Sequence, residues 1–120
     1  MYESEKVVQK QLDAFNRKDI VDWLSTYSHD AVHCTLEGSL IAQGKAQIEK
    51  NMRQRFQEPD LHAELLDRKI NEDVVIDHEL VTRNFPEGKG SVEMLCIYVI
   101  KNSLIVRGEF KIFRKKVFRS

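Results

Sequence analysis

The chain has no surplus of either charge, because its 19 lysines and arginines are matched by 19 aspartates and glutamates. A protein that binds the phosphates of nucleic acid usually presents an excess of basic residues. The basic residues near the C-terminus form only a short cluster, which is typical of a solvated chain end. We therefore expect no nucleic-acid partner.

Long apolar runs are also missing. No stretch nears the ~20 apolar residues that a helix needs to cross a bilayer, and the opening residues MYESEKVV are too polar for a signal peptide. We expect a cytoplasmic protein that does not bind a membrane. The sequence contains no repeat, low-complexity tract or linker, and its 120 residues suit one domain, predicted over 1–120.

Cysteines and metal-ligand patterns are scarce as well. Cys34 and Cys96 are the two cysteines, and both lie in apolar, strand-like runs without metal-site spacing, so we expect two buried free thiols. His29 and His33 are four residues apart, but they straddle a predicted helix-to-strand junction and would not share a helix face. We therefore predict no metal site, and nothing in the sequence indicates a cofactor.

Apolar residues at helical spacing predict three helices. The first runs from a cap at Ser4 to about Asn16, the second is capped by Asp19, and the third opens at Gly44 and stops before Pro59. The residues that make the apolar faces are Val8, Leu12 and Phe15, then Ile20, Trp23, Leu24 and Tyr27, then Ile48, Met52 and Phe56.

Alternating patterns predict six strands. A short hairpin pairs residues 32–36 with 40–42, and a four-strand meander follows over residues 61–70, 74–83, 91–101 and 104–113. Helices that are segregated from antiparallel strands indicate the α+β class.

The central strand, SVEMLCIYVIK at residues 91–101, is apolar on both faces and should be covered on both sides. If a tight turn pairs residue 101 with 104, then Leu95 and Ile97 share a face with Phe110 and Ile112. We expect this face to be the core face. Glu93 is its one charged residue, which makes Glu93 a candidate functional acid. It could lie at the wet rim near the start of the strand, but its apolar neighbours favour a pocket position, where burial would raise its pKa.

The opposite face of the same strand carries Met94, Cys96, Tyr98 and Ile100. Three helices can cover only one side of such a sheet, so another molecule is needed to cover this apolar face. A second copy of the chain is the simplest candidate. We therefore predict a homodimer through these four residues.

The strand at residues 74–83 also has two different faces. His78 lies on its more apolar face, which suggests a core or pocket-wall histidine first and a catalytic base second. Asp77 and Glu79 lie on the other face, and we expect them to form a charged outer surface with Arg68 and Arg83.

Two sequence stretches carry a resemblance to a known family. They are QLDAFNRKDIVDWLSTYSHDAV, at residues 11–32, and QGKAQIEKNMRQRF, at residues 43–56, separated by the predicted strand and hairpin. Together they resemble the NTF2-like superfamily and, within it, the SnoaL-like and ketosteroid-isomerase-like proteins. The resemblance implies a cone-shaped fold, with three N-terminal helices packed on a curved antiparallel sheet of mixed strand order, and an interior pocket.

The resemblance also implies positions for catalytic groups. The general-base aspartate of the ketosteroid-isomerase-like proteins aligns with Thr35, their oxyanion-hole tyrosine with Gln11, and their protonated carboxylic acid with Glu93. Threonine cannot act as a base near neutral pH, and an amide is a weaker donor than a phenol. Steroid isomerisation is therefore not the expected activity.

A cone-shaped fold would turn several core residues toward the pocket. We expect the pocket to be lined by Gln11, Phe15, Trp23, Tyr27, Thr35, Met52, Phe56, Leu95, Ile97, Phe110 and Ile112. Strand alternation alone would turn His33 and Thr35 outward, whereas the resemblance places them toward the cavity. We follow the resemblance, which makes Glu93, His78 and His33 the candidate catalytic residues.

These features support three hypotheses for the function. The first is a protein that binds a small apolar or cyclic molecule in an interior, mostly apolar pocket. The second is a proton-transfer enzyme, an isomerase, dehydratase or cyclase, which uses Glu93 as the acid and a pocket histidine as the base. The third is an accessory protein that binds another protein. The missing family catalytic residues favour the first or third, and an acid on the core face favours the second.

Overall fold

A computed structural model describes residues 2–119 of the chain. Three helices and six strands are formed within this range. They are α1 (Glu3–Arg17), α2 (Ile20–Ser25), β1 (Tyr27–Thr35), β2 (Leu40–Gln43), α3 (Lys45–Arg55), β3 (His62–Asn71), β4 (Val74–Phe85), β5 (Gly88–Lys101) and β6 (Leu104–Val117). None of these helices is both long and apolar enough to cross a membrane.

The helices form where the apolar periodicity predicts them, with shifted ends. Asp19 caps α2, because its carboxylate accepts a hydrogen bond from Asp22 N at 3.0 Å. Ser4 is not a cap: it lies inside α1, where its hydroxyl donates to the carbonyl oxygen of Glu72 in the β3–β4 turn. Tyr27 belongs to β1 rather than to α2, although its ring still packs on Trp23, with ring centroids 4.6 Å apart.

The six strands form one curved sheet in the order β2-β1-β6-β5-β4-β3. Neighbouring strands are antiparallel except β1 and β6, which run parallel. Helices α1 and α3 pack against one face of this sheet, and the buried core lies between them and the sheet. The prediction of an α+β fold, with helices on a curved sheet of mixed order, is confirmed.

A β-bulge sets the register between the two C-terminal strands. Lys101 pairs with Leu104 as predicted, and Ile100 pairs with Ile105, but Val99 pairs with Arg107. Val106 is therefore an extra residue in β6. Because side chains alternate along a strand, one extra residue exchanges the faces of everything that follows it.

This bulge overturns the predicted assignment of the two faces of β5. Phe110 pairs with Cys96 and Ile112 with Met94, so these residues share the face that the helices cover. Leu95 and Ile97 lie on the outer face of the sheet, opposite Lys111 and Glu109, and the prediction that they are core-facing is wrong.

The predicted dimer surface is wrong for the same reason. Cys96, Tyr98 and Ile100 are buried in the core, and Met94 packs against it, so these four side chains are not available to a second copy of the chain. Cys34 and Cys96 are both buried free thiols, as the sequence predicts.

The faces of β4 are exchanged together with those of β5. Asp77 pairs with Cys96 and Glu79 pairs with Met94, which places both carboxylates on the interior face, where they are 0% and 6% exposed. The prediction that they form a charged outer surface is wrong. The predicted partner of Asp77 is correct, however, since Arg68 forms two hydrogen bonds with it, from Nε to Oδ1 at 2.7 Å and from Nη2 to Oδ2 at 2.9 Å.

The buried Arg68–Asp77 pair links three elements of the fold. Its third contact is a 2.7 Å hydrogen bond from Arg68 Nη1 to Gln9 Oε1, which ties β3 and β4 to α1. A buried charge that loses its partner destabilises a protein by about 3–5 kcal/mol, whereas an exposed pair contributes about 1 kcal/mol or less. The Arg68–Asp77 pair should therefore matter far more than the surface pairs.

We expect Arg68→Met to lower the free energy of unfolding by about 3–5 kcal/mol, because it leaves Asp77 buried and unpaired. The double variant Arg68→Met with Asp77→Leu should recover most of that loss. Arg53→Met, which removes an exposed pair with Glu49, is the control and should cost about 1 kcal/mol or less. Urea denaturation measures all four proteins, and a loss from Arg68→Met no larger than the control would contradict this prediction.

Candidate functional site

A cavity of about 530 Å³ lies between the helices and the interior face of the sheet. This volume suits a small organic ligand. Its inner wall is mostly apolar and aromatic, and its opening is marked by side chains that are exposed or half-buried. The lining residues are Gln11, Phe15, Trp23, Tyr27, His33, Ile41, Ile48, Asn51, Met52, Gln54, Arg55, Glu58, Glu79, Val81, Arg83, Met94, Cys96, Tyr98, Phe110 and Ile112.

Glu79 is the carboxylic acid in the deep wall of this cavity. It lies on β4 between Val81 and the buried Asp77, and it is only 6% exposed. Burial, and then the negative charge of Asp77, raise the pKa of Glu79 from 4.5 to about 7. A hydrogen bond from Cys96 and the charge of Arg68 oppose this rise. The carboxyl group is therefore poised to both gain and lose a proton near neutral pH.

His33 lies in the cavity wall on β1, packed among aromatic rings. Its ring centroid is 5.2 Å from that of Tyr27 and 4.9 Å from that of Phe110. Burial lowers the pKa of His33 to about 4, so its imidazole is neutral at physiological pH. Its Nε2 atom is buried without a hydrogen-bond partner among residues 2–119, and so is Nε1 of Trp23.

Gln11 connects two buried phenols at the base of the cavity. Its side-chain amide donates to Tyr27 Oη and to Tyr98 Oη, each at 3.4 Å. Burial is the main cause that raises the pKa of both tyrosines, so each keeps its proton. Because Tyr27 Oη accepts from Gln11, its own O–H proton remains available to a group in the cavity, whereas the hydroxyl of Tyr98 also forms a hydrogen bond with Cys96.

Eight of the fourteen predicted site residues line this cavity. Four of them come from helix faces, which the apolar periodicity places correctly, two come from β1 and two from β6. They are Gln11, Phe15, Trp23, Tyr27, His33, Met52, Phe110 and Ile112. Glu79, which was not predicted to be in the site, lies in the wall in place of the predicted acid Glu93.

Glu93 and His78, two of the predicted catalytic residues, lie on the outer face of the sheet and not in the cavity. His78 Nε2 is 2.8 Å from Glu93 Oε1, and Arg114 Nη1 donates to the same oxygen at 2.9 Å. The hydrogen bond with His78 is the main cause that lowers the pKa of Glu93, so the expectation of a raised pKa is wrong. The placement failed because the predicted register lacked the bulge at Val106.

Four other predicted pocket residues lie outside the cavity wall. Leu95 and Ile97 are on the outer face of β5. Thr35 lies at the end of β1, where its hydroxyl accepts a hydrogen bond from Ser39 N at 3.0 Å in the turn before β2. Phe56 packs behind the wall, with its ring centroid 5.7 Å from that of Phe15.

The sequence analysis missed Glu79 and the charged residues at the opening. A signal for Glu79 was present, because Val75 and Val81 flank Asp77 and Glu79 on the same face of β4. Two carboxylates between apolar residues at alternate positions are compatible with an inward face once Cys96 and Tyr98 are assigned to the core. Charged residues are rarely buried, which made the outer surface the expected place.

Helices packed on a curved sheet of mixed strand order, with a cavity between them, are the architecture of the NTF2-like class. The model of the SnoaL-like domain matches residues 8–108. The chain belongs to this SnoaL-like family. No curated protein matches the chain.

Solved structures share the fold at low sequence identity. An uncharacterized cystatin-fold protein from Novosphingobium aromaticivorans is 23% identical, with a TM-score of 0.83 over 92% of this chain and 98% of that one. A protein from Sinorhizobium meliloti, provisionally named a polyketide cyclase, is 24% identical, with a TM-score of 0.74 over 88% and 94%. An epoxide hydrolase of the LEH-like type from M. tuberculosis is 12% identical, with a TM-score of 0.77 over 92% and 82%.

The shifted pKa values predict how stability depends on pH. Glu79 binds its proton more tightly in the folded state, so its contribution is complete below pH 4.5 and is lost as the pH rises to about 7. The rise of this pKa from 4.5 to about 7 corresponds to a contribution of at most ~3 kcal/mol to the free energy of unfolding. His33 acts in the opposite direction, because its contribution is complete above pH 6.5 and is lost as the pH falls to about 4.

Because the effects of Glu79 and His33 oppose each other, the pH dependence of wild-type stability alone does not isolate the contribution of Glu79. We expect the free-energy difference between wild type and Glu79→Gln to fall by up to ~3 kcal/mol between pH 4.5 and 7. For Glu93→Gln this difference should stay flat above pH 5, because the pKa of Glu93 is lowered. Denaturant titrations at several pH values test this, and parallel curves for wild type and Glu79→Gln would refute it.

Proposed function

We propose that this protein binds a small, largely apolar carbonyl compound in its cavity and transfers a proton on it with Glu79. The observation that carries the proposal is a buried carboxyl group in the cavity wall whose pKa is about 7. A general acid or base is most effective when its pKa lies near the operating pH. Perturbed carboxyl groups in cavities are typical of catalytic sites.

The proposed reaction moves one proton between two positions of the substrate. The ionised carboxylate of Glu79 accepts a proton from a carbon next to the carbonyl group. The electrons of the broken C–H bond form a carbon–carbon double bond, and the π electrons of the carbonyl group move onto its oxygen. The protonated Glu79 then returns the proton to another atom of the resulting enolate. Atoms and charge balance without a cofactor, and the outcome is an isomerisation or the start of a cyclisation or dehydration.

Donors at the base of the cavity support such a reaction. The hydroxyl groups of Tyr27 and Tyr98 and the Nε1–H of Trp23 are the groups that could bind the oxygen as negative charge develops on it. His33 is neutral at physiological pH, so it would act through hydrogen bonding rather than as a charged acid. In this scheme Glu79 is both the base and the acid, whereas the hypothesis drawn from the sequence gave the acid role to Glu93 and the base role to a pocket histidine.

Binding without chemistry is the second candidate function. It is favoured by Thr35, which stands where related isomerases carry their general base and is engaged in a turn instead. Two of the similar structures are named as a polyketide cyclase and an epoxide hydrolase. These names describe enzymes that act on small organic molecules, which agrees with either candidate function. A proton-exchange assay separates the two.

We expect wild-type protein to catalyse exchange of the α-hydrogens of a cyclic ketone, such as α-tetralone, with deuterium from the solvent. Glu79→Gln should slow this exchange about 10²–10⁴-fold while leaving ketone binding nearly unchanged. Glu93→Gln is the matched control and should retain the wild-type rate, because Glu93 lies on the outer face. Proton NMR follows the exchange.

The two alternatives predict different results in this assay. A ketone that binds to wild type but does not exchange its hydrogens would favour a binding protein. Exchange that survives in Glu79→Gln would exclude Glu79 as the base.

We also infer that the protein forms a homodimer through the outer face of its sheet. Ile76, Leu95, Ile97 and Val99 form an apolar patch across the centre of that face, and Ile76 is 37% exposed. The patch is flanked on β3 and β6 by charged residues. These are Asp67, Lys69, Arg107, Glu109 and Lys111. An apolar centre with a charged rim is the usual composition of a protein–protein interface.

We expect sedimentation velocity to give a dimer at micromolar concentration and Ile97→Lys to convert it to a monomer, because a charge would be buried at the centre of the interface. Val21→Lys is the control: Val21 is 72% exposed on α2, away from this face, and its substitution should leave the dimer intact. A monomeric wild type would contradict the inference.

A further inference from the structure

The residues at the opening of the cavity carry more positive than negative charges. Two arginines and one glutamate line it: Arg55 at the end of α3, Glu58 in the turn that follows, and Arg83 on β4. These three residues are called the charged rim below. Glu58 can balance only one of the two guanidinium groups, so the charged rim has a net charge of +1.

The hydrogen bonds of the charged rim leave Arg55 as the available cation. Arg83 donates from Nε and Nη2 to the two carboxylate oxygens of Glu58, both at 2.8 Å, and Asn84 N donates to the same carboxylate at 2.9 Å. Arg55 is further away, with its Nε 3.4 Å from Glu58 Oε2. The two outer nitrogens of its guanidinium, Nη1 and Nη2, form no hydrogen bond with residues 2–119.

Electrostatics at the charged rim agree with this arrangement. Burial would raise the pKa of Glu58, but the hydrogen bonds from Arg83 and Asn84 outweigh it and lower the pKa, so Glu58 is ionised. Burial, and then the like charge of Arg83, lower the pKa of Arg55, although an arginine remains charged at neutral pH. A half-buried cation beside a second cation would gain from an anionic ligand.

The geometry of β4 relates the charged rim to the buried acid. Glu79, Val81 and Arg83 lie at alternate positions on the interior face of the strand, so the Cα atoms of Glu79 and Arg83 are roughly 13 Å apart. A ligand with an anionic end at Arg55 would place its body against Val81 and Met94. Its far end would then lie beside Glu79.

We propose that the ligand of this cavity is a small carboxylic acid, whose carboxylate binds Arg55 at the charged rim and whose apolar body extends inward toward Glu79. This assignment rests on the proposed function of the cavity and adds the substrate class. Arginine suits the role because its planar guanidinium can bind both oxygens of a carboxylate.

Matched ligand pairs test the proposal. The probes are 5-phenylpentanoate and its primary amide, which have the same body and differ in charge, and binding is followed by the fluorescence of Trp23, the single tryptophan, which lines the cavity. We expect the acid to bind about 10- to 100-fold more tightly than the amide. Arg55→Gln should reduce this ratio toward one while leaving amide binding unchanged.

Two further variants distinguish a specific effect on ligand binding from an effect on folding. Arg53→Gln lies on the same helix, is exposed and pairs with Glu49, so it should keep the wild-type preference for the acid. Glu58→Gln removes the competing carboxylate and should increase the preference. A change in opposite directions in Arg55→Gln and Glu58→Gln cannot result from a general loss of structure.

The possible results separate this proposal from the proposed function. Equal binding of acid and amide to the wild type, or a preference that survives in Arg55→Gln, would overturn the carboxylate assignment and leave the cavity as a ligand site. Failure of both probes to bind at millimolar concentration would count against the ligand-binding cavity itself, and therefore against both proposals.

Discussion

One extra residue in β6 determines what this protein presents to its cavity. The bulge at Val106 turns Phe110 and Ile112 to the same side as Cys96 and Met94, beneath the helices. The pairing of β5 with β4 then carries Asp77 and Glu79 to that side as well. A sheet transmits its register from strand to strand, so the chemistry of the cavity depends on a local irregularity between two other strands.

The two buried carboxylates on β4 are accommodated in different ways. Asp77 has a full partner in Arg68, which neutralises its charge with two hydrogen bonds and is itself bound to Gln9. Glu79 forms no ion pair with a cation among residues 2–119, and burial raises its pKa to about 7, so it is partly protonated near neutral pH. Two acids separated by one residue therefore differ in role, one holding the elements together and the other facing the cavity.

The sequence was sufficient for the elements and the fold class but not for the faces of the sheet. Periodicity identified the three helices and six strands that residues 2–119 form, and the helix faces correctly placed Phe15, Trp23 and Met52 in the cavity wall. The two faces of β5 are both apolar, so hydrophobicity could not choose between them. The bulge at Val106 has no glycine or other local signal, and the candidate acid was consequently assigned to Glu93.

The parallel pairing of β1 with β6 has a consequence for how the chain is made. In a cell, β1 leaves the ribosome roughly 70 residues before its partner, and at 5–20 residues per second this delay lasts roughly 4–14 s. During that time the edge of β1 that pairs with β6 and the apolar faces of the helices have no sheet centre to cover them. Contacts of such long sequence separation form slowly, so nascent chains of this protein should be especially dependent on chaperones.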